Sequence, residues 1–247
     1  MIWNFFRRLA GFRPSKAELY GRTDTGRTRA NNEDSFAVRP PINLMLVADG
    51  MGGHRAGEVA SRLAVEAVVR LLTPEAIREA GDSREAVRHL LIQTMKQMNV
   101  KVREAAGANP DWAGMGCTFV LGLVGRGRLY VSHIGDARAY LLSGAKLARL
   151  TADHTHAGLG GGGVGRRVLS RAVGFPWPED PDCLVVPVRA GDRVLLCSDG
   201  LWSMLPDHRL AAILGQAATV EAACDRLVIE ANQAGGLDNI TAVGGFL

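Results

Sequence analysis

Strand-like and helix-like runs arrive in blocks along this chain. That order predicts an α+β fold of mainly antiparallel sheets with helices on their outer faces. Three observations carry the expectation. Two long helical patterns, at 57–72 and 83–106, follow one another with no strand between them. Three strand patterns in succession, at 118–124, 128–134 and 138–142, read as a meander with turns at 125–127 and 143–144. The strict β-α-β alternation of a parallel doubly wound sheet is missing.

In order along the chain, β-rich runs at 35–38 and 44–48 come first, the second ending in Asp49-Gly50. In the helix at 83–106, Ser83 marks the start and Leu91, Met95, Met98 and Val102 recur at helical spacing, so this stripe is core. Beyond Thr151 lies a loop with four consecutive glycines, at 160–163. Strands resume near 184–188 and 193–197, helices near 207–214 and 220–234, and a last strand near 240–243. No repeat or low-complexity linker divides the chain, so 18–247 reads as one domain behind a basic leader at 1–17.

Composition excludes several function classes. The chain has 247 residues, 47% hydrophobic and 22% charged, enough apolar material for a sizeable core and too much for disorder. The longest apolar runs fall far short of the ~20 residues of a membrane span. Net charge is +4, but residues 1–30 hold seven basic against two acidic side chains, and the remainder 22 against 23. The basicity belongs to the leader, and a nucleic-acid groove is not expected. Four scattered cysteines, Cys117, Cys183, Cys197 and Cys224, form no CxxC pair and suit a reducing cytoplasm. A cysteine phosphatase needs a histidine before its cysteine and an arginine six after; Cys183 has Arg189 but follows Asp182, and the other three lack both, so none qualifies. Arg55 stands where a dinucleotide fingerprint needs its third glycine, and no Walker lysine follows the glycine run. His154 and His156 would make half a zinc site, but such a pair is more often surface or hydrogen-bonded. His133, inside an apolar strand pattern, reads as a satisfied core histidine.

Two segments rhyme: Leu44-Met45-Leu46-Val47-Ala48-Asp49-Gly50 and Val194-Leu195-Leu196-Cys197-Ser198-Asp199-Gly200. Asp-Gly after a strand is ordinarily a hairpin turn. The first segment suits that reading less well, because Met-Gly-Gly-His and a helix pattern follow. The functional alternative is a carboxylate at each buried strand end. More acids stand at similar junctions: Glu33-Asp34, Asp136 after Ile134-Gly135, and Asp238 before Asn239-Ile240-Thr241. Were they to converge, their repulsion would demand cations, and oxygen-only ligands select hard ions, Mg2+ or Mn2+.

The ordered set Arg29-x-x-Asn32-Glu33-Asp34-Ser35, Asp49-Gly50-Met51-Gly52-Gly53-His54, Gly116-x-Thr118, Gly135-Asp136-Ala137-Arg138, Ser198-Asp199-Gly200-Leu201 and Asp238-Asn239-Ile240-Thr241 resembles the PP2C (PPM) family. These are metal-dependent protein serine/threonine phosphatases, here of bacterial type. The resemblance implies a four-layer α-β-β-α sandwich with a binuclear metal centre between its sheets. It implies Asp49 as the bridging, catalytic ligand, with the Gly50 carbonyl, Asp199 and Asp238 completing the shell. Asp34 would act through ordered water and Glu33 as an outer neighbour. Arg29 would bind the substrate phosphate, and Asp136 would help hold a third, weaker Mg2+ or Mn2+ beside the two tight ones. Two such cations can activate water near neutral pH and clamp an in-line displacement at phosphorus. Arginine's planar fork suits phosphoryl oxygens.

The chain departs from the family in three places. Met51 stands where eukaryotic members have a histidine, a role His54 does not inherit. The stretch around 160–163 is shortened, and Ser203 replaces a frequent acid. The expected partners are phosphoprotein substrates and a cognate serine/threonine kinase, for a monomer without nucleic acid or a transmembrane segment. The alternative is a catalytically impaired regulatory module of the same fold.

Overall fold

The structure is a computed structural model and describes residues 17–52, 56–157 and 167–247. Residues 1–16 of the leader, His54 and the glycines at 160–163 therefore lie outside the described residues.

Two five-stranded antiparallel sheets face one another. The first runs β1 (Glu18–Asp24), β12 (Ile240–Phe246), β11 (Arg193–Cys197), β6 (Arg138–Ser143), β7 (Lys146–Arg149). The second runs β10 (Asp182–Pro187), β5 (Arg128–Ile134), β4 (Gly116–Gly125), β3 (Leu44–Met51), β2 (Asp34–Arg39). A small ribbon pairs β8 (Thr155–Ala157) with β9 (Arg167–Leu169).

Strand alternation sorts the side chains into layers. On β3, Leu44, Leu46 and Ala48 face outward under α1 (Ala56–Leu71) and α3 (Arg84–Ala108), joined by α2 (Pro74–Ala80). Met45 and Val47 face inward and meet Val194, Leu196 and Val243 of the other sheet. The first sheet carries α4 (Asp199–Trp202), α5 (Asp207–Gln216) and α6 (Val220–Gln233) on its outer face. The expected α-β-β-α sandwich results. Each fully buried Leu, Val or Met contributes roughly 1.5–3 kcal/mol, and the helix stripe Leu91, Met95, Met98 and Val102 is buried as its spacing requires. Ser83 caps α3 by accepting from the Ala86 amide at 3.3 Å.

Several elements were not legible as runs. β1 carries Arg22, Thr23 and Asp24 and has no apolar alternation strong enough to announce it; pairing with β12 makes it a strand. β7 is short and polar. α2 follows Thr73-Pro74, whose hydroxyl accepts from the Ala76 amide at 3.2 Å, a cap and N1 proline signal. The hairpin expectation for Asp-Gly is corrected at both places. β3 runs through Asp49 and Gly50 to Met51, still paired with β4, because the next chain segment enters a helix rather than a returning strand. Asp199-Gly200 opens α4 behind Ser198. Among the described residues no helix is long and apolar enough to cross a membrane.

Candidate metal centre

Period-2 alternation builds one end of the sandwich. The inward positions of β3 run Met45, Val47, Asp49; those of β2 run Val38, Phe36, Asp34; and Thr118 continues Val124 and Val120 on β4. The register places Asp34 opposite Asp49, and Asp49 opposite Thr118. From the facing sheet, Ser198 continues Val194 and Leu196, and Thr241 continues Val243. Apolar packing gives way to oxygen at the same level on both sheets.

Asp34 is buried behind the cleft. Its Oδ2 accepts from Ser198 Oγ at 2.7 Å and from Thr241 Oγ1 at 2.6 Å. The Thr241 amide donates to Ser198 Oγ at 3.0 Å, which leaves the serine proton for Asp34. The other oxygen, Oδ1, has no partner among the described residues. Burial pushes the Asp34 carboxyl up to about 7, against the pull of the two hydroxyls, with Asp199 and Asp238 adding to the rise.

A cleft of about 390 Å³ opens beside it, lined by Arg29, Glu33, Asp49, Gly50, Asp136, Asp199 and Asp238, with Thr118 and Asn239. The expected site residues thus converge, with Asp34 just behind them. Burial first, then Asp199, Asp34, Asp136 and Asp238, hold Asp49 well above the carboxylate range. Asp199 is raised by burial and then by Asp238. Asp136 is pushed up to about 6 by burial and then by Asp199. Arg29 is the one cationic side chain among the lining residues. It lies on Asp238, Nη2 to Oδ2 at 2.7 Å, while its side chain stays 55% exposed.

Close backbone approach explains the glycines. A Cβ on Gly50 would stand 2.3 Å from the Gly57 carbonyl and 2.5 Å from that of Glu33. The Gly50 amide donates to that Glu33 carbonyl at 3.1 Å, and the Glu33 carboxylate reaches Gly57 in the first turn of α1. Glu33 is raised by burial, with Arg29 opposing. Asn239 ties the loop to the strand: its Oδ1 accepts from the Glu33 amide, and its Nδ2 donates to the carbonyls of Thr25 and Asn31.

These residues fit hard divalent cations. Five carboxylates crowd one cleft with a single arginine, and the buried Asp34 Oδ1 and Thr118 Oγ1 lack partners among the described residues. The donor set is all oxygen. Ser198, Thr241 and Asn239 were in the motifs but had no assigned role. Alternation was the signal for the first two, since both continue inward apolar rows.

The family model described as protein phosphatase 2C matches residues 24–230. The chain belongs to the protein phosphatase 2C family. As a PP2C member it is a metal-dependent serine/threonine protein phosphatase, a hydrolase. It is 36% identical over 238 residues to the serine/threonine phosphatase stp of Listeria monocytogenes, covering 90% of this chain and 92% of that protein. The Mycobacterium tuberculosis phosphatase PstP/Ppp has a similar structure, with TM-score 0.81, 33% identity, and coverage of 94% of this chain and 98% of that one. So has the catalytic domain of PstP in complex with two manganese ions, at TM-score 0.78 and 32% identity over 93% of this chain and 97% of that one.

The half-zinc reading of His154 and His156 has a different outcome. His156 is exposed on β8 and does not join. His154 instead meets His133 and Asp182 away from the acidic cleft. His133 is buried, with Nε2 2.9 Å from the Ala152 carbonyl and Nδ1 without a partner among the described residues, so it is only half satisfied.

Proposed function

We propose that Asp49, with the Gly50 carbonyl, Asp199 and Asp238, would hold two divalent cations, Asp49 being the carboxylate they would share, for hydrolysis of phosphoserine and phosphothreonine in proteins. Bound Mg2+ or Mn2+ supplies Lewis acidity and a water reactive near neutral pH. Asp34, fixed by Ser198 and Thr241, presents Oδ1 to orient that water and accept its proton. Glu33, an outer neighbour of the cations, would steady the Gly50 backbone by accepting from its amide. Arg29 leaves Asp238 to the cation and offers its planar fork to the phosphoryl oxygens. Met51 has no proton to give, so the leaving alkoxide of serine or threonine takes one from water. Asp136, whose carboxyl feels Asp199, would hold a third and weaker cation.

The observation that carries this reading is the convergence of Asp49, Asp136, Asp199 and Asp238 in one cleft. Hydrolysis of p-nitrophenyl phosphate and of a phosphothreonine peptide should require Mn2+ or Mg2+ and cease with EDTA. Equal rates with the chelator would sink it. No carboxylate of the motif set is lost, which speaks against an impaired regulatory module. We further infer a cognate serine/threonine kinase as the opposing partner, a single domain over 18–247 acting as a monomer, and a cytoplasmic location. The four unpaired cysteines support that location.

A further inference from the structure

The turn that carries Asp136 is gripped from outside the cleft. His154 engages both polar groups of the Gly135 backbone. Its amide donates to the Gly135 carbonyl at 3.0 Å, and its Nδ1 accepts from the Gly135 amide at 3.1 Å. Gly135 has φ +98°, and a Cβ there would lie 2.6 Å from the Thr118 side chain, so no other residue can re-form the turn. Nδ1 faces an N–H, whereas Nε2 has Asp182 Oδ1 at 3.5 Å, so the lone pair belongs on Nδ1 and the proton on Nε2. Burial, then the His133 ring and Arg171, keep His154 below its ordinary pKa and so neutral.

The far side of the ring is equally held. His133 stacks on it at 4.7 Å with 16° between the planes. Arg171 Nη1 donates at 3.0 Å to Asp182 Oδ1, the oxygen that the His154 Nε2–H also faces, and the Ser170 amide donates to the His154 carbonyl at 2.9 Å. Three metal-type donors, His133, His154 and Asp182, come within 4.8 Å of one another. The guanidinium already supplies a cation there, and one ion cannot lie in the planes of two nearly parallel rings. The cluster is a brace rather than a metal site.

We propose that His154 is a positioning residue for the Asp136 cation site, linking that turn to Ser170, Arg171 and Asp182. The inference rests on the assignment of Asp136 to a third cation. Hydrogen-bond partners that orient metal ligands typically change affinity ~10–100-fold when removed. Mn2+ titrations of the full chain by calorimetry test it, with Asp136→Ala identifying the third binding step. His154→Ala should weaken that step by about 10–100-fold and retain the two tighter ones. His154→Asn, whose Oδ1 falls where Nδ1 stood, should restore most of the affinity. His154→Gln, whose amide reaches toward the Nε2 position, should not. Imidazole nitrogen chemical shifts should show Nδ1 bare and Nε2 protonated. An unchanged third step in His154→Ala, or Asn no better than Gln, would overturn the proposal alone. A wild type without any third step would overturn it together with the assignment of Asp136.

Discussion

Asp34 and Asp136 are both nearly buried, at 8% and 9% exposure, yet the molecule holds them by different means. Asp34 begins a strand, stands opposite Asp49 in register, and has one oxygen fixed by hydroxyls from the facing sheet. Asp136 follows a left-handed glycine on a turn. Its carbonyl accepts from the Trp202 indole at 3.0 Å, and Trp202 in turn lies against Arg138, which forms a bidentate pair with Asp153. Pairing within a sheet places a ligand through contacts that the core needs anyway. A turn must be braced by contacts of its own, and the carboxylate it presents is the more easily moved.

The difference can be broken most severely at Asp49. On the proposed reading Asp49→Asn removes a charge that two cations would share, and it should lower turnover on the order of 10³-fold or more, since several kcal/mol of transition-state stabilisation are at stake. The same change relieves repulsion, so the cation-free variant should melt above the cation-free wild type. A folded Asp49→Asn protein with normal turnover would remove the centre from this place.

Next in size is the pair Ser198→Ala with Thr241→Val. It strips Asp34 Oδ2 of its donors and should lower kcat/KM about 10–100-fold, whereas changes at exposed serines should not. Asp136→Ala should be milder, about tenfold in turnover, at the low end of that range. Metal counting should still find the two tight cations, and their loss would erase the distinction between strand-borne and turn-borne ligands.

The smallest effect is on stability. Asp34 titrates at about 7 in the folded, cation-free protein and near its ordinary 3.8 when unfolded. Between those values only the folded state keeps the proton, so stability falls as pH rises through this window and levels off above it. Cation-free protein should therefore melt higher at pH 6 than at pH 8, each kcal/mol being worth roughly 2–4 °C. Saturating Mn2+ should reverse the trend, and Asp34→Asn should flatten it. A cation-free melting point that rose with pH would contradict the burial of these carboxylates.

Much of this was legible beforehand where one physical signal dominates. The helix stripe of Leu91, Met95, Met98 and Val102 and the strands β4, β5 and β6 follow from periodicity alone, but the expected meander does not: β4 and β5 form a hairpin, while β6 crosses to the facing sheet and pairs with β11 and β7. β1 did not, because Arg22, Thr23 and Asp24 become strand only by pairing with β12 some 200 residues away. Asp49, Asp199 and Asp238 stood out through the rhyme of strand and Asp-Gly and through the motif set. Their convergence could not be read from one chain, since it depends on the docking of two sheets. Alternation could place Ser198 and Thr241 on the inward rows, but not their hydrogen bonds to Asp34 across the sheets, and a ring such as that of His154, which acts through a neighbour, leaves no local pattern.

The oxygens around the cleft come from positions as far apart as 34 and 238, and the Asp34 carboxylate of one sheet is tied to Ser198 and Thr241 of the other. A cation bound there has little affinity for the open chain, so by mass action it acts as a folding ligand. At a hundredfold excess over its Kd a single such ion contributes about 2.7 kcal/mol. The supply of free Mg2+ or Mn2+ around the protein then governs how long it survives proteolysis as well as how fast it turns over.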